Sequence, residues 1–195
     1  MRKGANEMAK HNKHLFRLNS RRAAIVVYEC RGVVVVALIA VLLTLTYVVR
    51  VVGVDGTSMM PTLKDNDRLL LTYYEKTYDR GDIVVIDRYG EEPLIKRIIA
   101  IGNDTVEIEH GQVRVNGDLL KEFYIQGTTE IDVDSNAKKK WEVQEGFVFV
   151  MGDNRNPGAS VDSRKDSIGL ISVKDIVGRA RWCIWPPSSF GSIYD

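Results

Sequence analysis

From Gly32 to Val49 eighteen residues carry no charge, bracketed by Arg31 and Arg50. A helix of that length is near the minimum for crossing a bilayer. A cleavable leader has a shorter apolar core and ends in small residues. Here Thr46-Tyr47-Val48-Val49-Arg50 follows, so the pattern predicts an uncleaved transmembrane anchor over 32–50. Beyond it the apolar residues fall in short stretches, some contiguous and some alternating with a period of two. Arg68–Tyr74, Ile83–Ile86, Leu94–Ile101, Thr105–Glu109, Val113–Val115, Leu119-Leu120 and Phe147–Met151 read as strands. His110-Gly111 and Asn116-Gly117 read as tight turns between them. Val173–Val177 reads as a helical turn or a strand, and 128–140 as an exposed polar insertion. Many short strands without a long helical period predict a mainly β domain over 51–195, a barrel or a sandwich, behind one N-terminal membrane helix.

Charge sharpens this division. Residues 1–32 hold eight Lys/Arg against Glu7 and Glu29, a net +6. Residues 51–195 hold eighteen basic and twenty-four acidic residues, a net −6. A basic head before an apolar run places the tail, 1–31, in the cytoplasm and the body outside the plasma membrane. The tail is either a short helix on anionic lipid near Leu15–Arg22 or a solvated coil. An acidic body argues against a nucleic-acid partner. With Cys30 before the run and Cys183 near the C-terminus, the two cysteines fall on opposite sides of a bilayer, which excludes a disulfide scaffold.

Candidate chemistry begins at Gly56-Thr57-Ser58-Met59-Met60-Pro61, just past the apolar run. Gly56 loosens the backbone before Ser58 and Pro61 stiffens it afterwards, a bend that suits either a linker or a presented nucleophile. The body's one histidine, His110, lies in a predicted hairpin turn, so a Ser-His-Asp triad is disfavoured. No His/Cys cluster, calcium-loop spacing or phosphate-cradling glycine loop appears, and no metal or other cofactor is expected. A serine can instead be activated by a neutral lysine, whose pKa, near 10.4 in water, desolvation would lower. Lys96, within Leu94-Ile95-Lys96-Arg97-Ile98, is the candidate, with an outward-facing strand lysine as the alternative. Trp182, Trp185 and Phe190 crowd the C-terminus and suit either a lipid interface or the core.

Four segments follow one another along the body: Ser58–Leu63, Arg80–Val85, Lys96-Arg97 followed by Ala100–Asp104, and Gly152-Asp153-Asn154-Arg155 followed by Asp162-Ser163-Arg164. They stand in the order seen in type I signal peptidases, and the chain resembles that family over roughly residues 50–185. The resemblance implies a β-rich catalytic domain resting on a membrane, with Ser58 as nucleophile and Lys96 as general base. It implies that Arg97 and Asp153 form a structural ion pair, that Asp162 and Arg164 support the site, and that Ser160 hydrogen-bonds the lysine. It further implies cleavage of preprotein signal peptides after small residues at the first and third positions before the cut. The lipid bilayer is then a partner and the secretion translocon a candidate one. Met59 and Ile95 are candidate pocket walls, and equally candidate core.

The chain departs from the family's pattern twice. Four residues, Asn156–Ala159, precede Ser160 where the family usually has two, which leaves Ser163 as a competitor. Gly56 stands where some members carry a serine as oxyanion donor. Three rivals fit less well. A self-cleaving repressor-type peptidase would lack the anchor, a sortase needs a His-Cys-Arg set, and an anchored binding module has no reason to bury an unpaired lysine.

Overall fold

The computed structural model describes residues 31–43, 49–73, 77–129 and 140–194. It divides into two units, Met1–Tyr47 and Val48–Asp195. In the first unit, residues 31–43 form a helix with exposed apolar side chains. The basic tail before it and residues 44–48 of the expected anchor lie outside the described residues. No helix among the described residues is long and apolar enough to cross a membrane. One boundary changes. Val49 and Arg50, read as the end of the anchor, open strand β1 (Val49–Gly53), which pairs antiparallel with β2 (Arg68–Thr72).

The second unit is mainly β. The strands β3 (Ile83–Ile86), β4 (Leu94–Ala100), β5 (Thr105–Glu109), β6 (Gln112–Val115) and β7 (Asp118–Leu119) follow in order. Then come β8 (Lys140–Glu142), β9 (Phe147–Met151), β10 (Ile171–Ser172), β11 (Ile176–Trp185) and β12 (Gly191–Ser192). The larger sheet has the order β1-β2-β11-β3-β4-β9-β10, with β12 also on β11; the smaller runs β7-β6-β5-β8. Every residue of β3, Ile-Val-Val-Ile, is buried because β11 and β4 flank it and both its faces are covered. Ile83 and Val85 join one core with Leu69, Leu71 and Met59, while Val84 and Ile86 join another with Ile98 and Val150. A third core lies where Ile99 and Phe149 meet Val106, Val115 and Trp141.

The turns follow their chemistry. His110 and Gly111 have φ of 50° and 76°, and Asn116 and Gly117 have 55° and 86°. Two consecutive positive φ values match the right-handed twist of a hairpin. Of 128–140, read as an exposed insertion, Thr128 and Lys140 are exposed but Thr129 is not. Thr129 is buried and accepts a hydrogen bond from Arg155, and Lys140 belongs to β8; residues 130–139 lie outside the described residues. Val173–Val177 resolves into both alternatives: a short 3₁₀ turn over Val173–Asp175, then the start of β11. Arg80 and Asp104, both inside the resembling segments, pair with each other, Nε to Oδ2 at 2.7 Å.

One detail of pairing matters for the site. β9 pairs with β4 only at Arg97, Ile98 and Ala100, whereas β3 pairs with Leu94 to Arg97. On the side away from β3, the Leu94–Lys96 edge therefore has no strand partner among the described residues.

Candidate active site

Ser58 sits in a turn that is pinned from several directions. Gly56 has a φ of 85°, and its amide donates to Asp65 Oδ1 at 2.8 Å. Leu63 N donates to Met59 O at 2.9 Å, and both side chains are buried in the core beside Leu69 and Ile83. From the far side, Asn154 N donates to Ser58 O at 3.0 Å and Asn154 Nδ2 to Thr57 O at 3.1 Å. The bend expected from Gly56 and Pro61 is thus clamped between the core and the Gly152–Arg155 segment.

Lys96 comes from β4 and is 2% exposed. Its Nζ lies 2.8 Å from Ser58 Oγ and donates to Ile95 O at 2.9 Å. Burial pushes its pKa down from 10.5 to about 8. The Asp162 and Asp153 carboxylates oppose that fall, and the Arg164 guanidinium adds to it. The amine is therefore neutral in a useful fraction of molecules near neutral pH, and at this distance a neutral amine can accept the serine proton. The alternative of an outward-facing strand lysine is excluded by its burial.

The expected supporting residues gather around the pair. Arg97 Nε and Nη2 donate to Asp153 at 2.9 and 2.6 Å, and both side chains are buried. Arg97 Nη1 also donates to Gly81 O at 2.9 Å, and Thr62 Oγ1 donates to Asp153 Oδ2 at 2.5 Å. Asp162 and Arg164 form a two-pronged pair at 2.8 and 2.9 Å. That pairing, with bonds from Ser160 and Gly152 N, holds the Asp162 carboxyl below the usual range although burial alone would raise it.

Ser160 departs from expectation. Its hydroxyl donates to Asp162 Oδ2 at 2.7 Å, while the Lys96 amine turns to Ser58 and Ile95. The carboxylate, two residues away, takes the hydroxyl proton, and Lys96 Nζ is directed to Ser58 Oγ and Ile95 O rather than to the oxygen of Ser160. Ser163 does not take its place either: its Oγ accepts from Val150 N at 3.0 Å, and Lys96 Nζ bonds Ser58 Oγ and Ile95 O. Ser160 nonetheless lies close to the pair. A Cβ on Gly152 would fall well inside contact distance of both Ser160 Oγ and Ser58 O.

Three groups near the site were given no role by the sequence. The Tyr124 ring lies 4.0 Å from the Arg97 guanidinium. Thr62 completes the Arg97–Asp153 pair. Arg155, fully buried, pairs with Glu122 and donates to Thr129 Oγ1 at 2.6 Å. The Gly-Asp-Asn-Arg string flagged Arg155 without giving it a partner; nothing in the sequence pointed to Tyr124 or Glu122.

Beside the pair lies a cavity of about 440 Å³. Val52, Val54 and Met59 line one side, and Leu94, Ile95 and Lys96 another. Met59 and Ile95 thus serve both as core and as pocket wall. Among the described residues no group of three or more His, Cys, Asp or Glu side chains is placed to hold a metal ion.

Comparison with known proteins adds a second line of observation. The family described as "Signal peptidase, peptidase S26" matches residues 27–185. Signal peptidase I S of Bacillus subtilis (strain 168) is 33% identical over 180 residues, covering 82% of this chain and 90% of that one. Signal peptidase IB of Staphylococcus aureus (strain N315) is 31% identical over 173 residues, covering 80% and 88%. A crystal structure of a signal peptidase I from Enterococcus faecalis V583 aligns with a TM-score of 0.42 at 25% identity, covering 53% of this chain and 96% of that one.

Proposed function

The chain belongs to the signal peptidase family, peptidase S26, and is a peptidase; on that premise we propose that it removes signal peptides from exported preproteins with Ser58 as nucleophile and Lys96 as general base. The observation that carries this reading is the 2.8 Å approach of Ser58 Oγ to a buried lysine amine whose pKa is lowered to about 8. Ser58 Oγ attacks the carbonyl carbon before the cut as its proton passes to Lys96 Nζ. The resulting ammonium protonates the leaving amine, and an ester to Ser58 remains. Lys96 then takes a proton from water, which attacks the ester and frees the new carboxylate and Ser58. The Ser58 amide has no acceptor among the described residues and is available to the developing oxyanion.

The substrate is read as an extended strand. The open Leu94–Lys96 edge and the outer edge of β1 both border the cavity, and each offers backbone groups for strand addition. In an extended chain the first and third residues before the cut point the same way. Both side chains would then enter the cavity that Met59 and Ile95 line, and the preference for small residues at the two positions is taken from the family resemblance.

The reading extends to a single-pass plasma-membrane anchor, an N-terminal tail in the cytoplasm and an extracytoplasmic β domain. Its supports are the charge-free run with its basic flank and the exposed trio Trp182, Trp185 and Phe190. The experiment is processing of a purified preprotein in detergent by the full chain. Ser58→Ala and Lys96→Ala should each abolish cleavage while the protein still partitions to membranes. Retained cleavage by Lys96→Ala would sink the dyad.

A further inference from the structure

A second cavity, also about 440 Å³, opens next to the same two chain segments. Ser58-Met59 and Ile95-Lys96 border the first cavity; Pro61-Thr62, one residue further along, and Arg97, the next residue, border the second. Its remaining walls include Phe123, Tyr124, Ile193 and Tyr194. Phe123 is 92% exposed, a large apolar ring left in solvent at the pocket.

The chemistry of these walls narrows the ligand. Arg97 does not offer an anion site, because its guanidinium already serves Asp153 and Gly81 O. The Tyr194 hydroxyl donates to Ala180 O at 2.8 Å and accepts from Ile83 N at 2.9 Å. The Tyr124 hydroxyl donates to Glu122 Oε1 at 3.2 Å. With their polar tips engaged, the rings present carbon to the pocket. A cavity of this kind suits an uncharged apolar or aromatic side chain.

Strand pairing points to the source of that side chain. A chain added along the open edge of β4 can run only as far as Lys96, because from Arg97 onward β9 holds that edge. Beyond the cut the substrate has to leave the sheet, and the second cavity borders residues just further along both segments. We infer that this Phe123–Tyr194 cavity binds an apolar or aromatic side chain of the substrate segment just after the cleavage point. The inference rests on the peptidase reading above and deepens it, giving the enzyme a recognition site on the departing side of the cut.

The test uses the full chain in detergent and three peptides with the same residues before the cut. One ends at the first residue after it, one continues for five residues with Phe at the second and third positions, and one carries Asp there instead. The unaltered protein should cleave the Phe peptide with a kcat/KM at least about fivefold above the short and Asp peptides. Phe123→Ala should bring the Phe-to-short ratio towards one, acting through KM. A ratio near one in the unaltered protein overturns the inference. So does a Phe123→Ala protein that keeps the ratio, including one that loses activity equally on all peptides. Cleavage of the short peptide reports on the peptidase reading by itself, so the pocket can fail while that reading stands; cleavage of none of the three sinks both.

Discussion

The buried lysine makes the pH profile a sharp test. Taking the Lys96 amine from 10.5 to about 8 disfavours its charged form by about 3 kcal/mol, at about 1.4 kcal/mol per pH unit. With 2% of the residue exposed, solvent does little to screen that cost. At pH 7 about a tenth of the molecules carry the neutral amine, and at pH 9 about nine-tenths do. The kcat/KM for a quenched-fluorescence peptide should therefore rise about tenfold between pH 7 and pH 9, along a limb centred near 8. Stability should carry the same signature. Below pH 8 both folded and unfolded chains hold the proton, and the folded one bears the full cost of burying it. Between 8 and 10.5 only the unfolded chain keeps the proton, so stability rises with pH until the cost is gone. Lys96→Met should then stabilise the folded domain at pH 7 by up to about 3 kcal/mol, a gain that fades towards pH 10.5 in chemical denaturation. A flat activity profile between pH 7 and 9, or a limb centred near 10.5, would refute a neutral-lysine base.

Two further outcomes follow from the surroundings of the pair. Gly152→Ala drives a methyl into Ser58 O and Ser160 Oγ, and backbone cannot step aside as a side-chain tip can. It should cost about 1–3 kcal/mol in thermal unfolding and at least about a hundredfold in kcat, and near-normal turnover would show that Ser58 tolerates displacement. Asp153→Ala strands the buried Arg97 charge; unfolding should show a loss of about 3–5 kcal/mol, while a loss below about 1 kcal/mol would mean that water reaches Arg97.

Much of this arrangement can be read from the chain, and the reasons differ by residue. β3 is visible because four consecutive Ile and Val residues admit few structures other than a doubly covered strand. The Asn116-Gly117 turn is visible because few other residue pairs tolerate two positive φ values. The start of β1 is hidden, because Val48-Val49 before Arg50 and Val51-Val52 after it are alike in type, and apolarity alone does not distinguish helix from strand. Ser58 and Lys96 stand out as residue types in resembling strings, but their approach depends on a contact between residues 38 positions apart. The hydroxyl of Ser160 is illegible for another reason: which acceptor it takes depends on where the fold buries a carboxylate. Tyr124 gives no signal at all, since its place over Arg97 is set by the path of a loop rather than by any periodicity.

The smaller sheet has a topological consequence. β4 and β9 are hydrogen-bonded neighbours, so everything between them, residues 101–146, is in effect one long hairpin connection with a second sheet folded inside it. Removing or lengthening material there would leave the order of the catalytic strands untouched. The parallel bridge of Gln126 to Asn154 and the Arg155–Glu122 pair staple the excursion back onto the segment that carries Asp153. The connection is thus modular in its strand order, yet it is tied to the catalytic strands by these staples and by the core in which Ile99 and Phe149 meet Val106, Val115 and Trp141, so inserted length is best absorbed away from residues 122–129 and from that core.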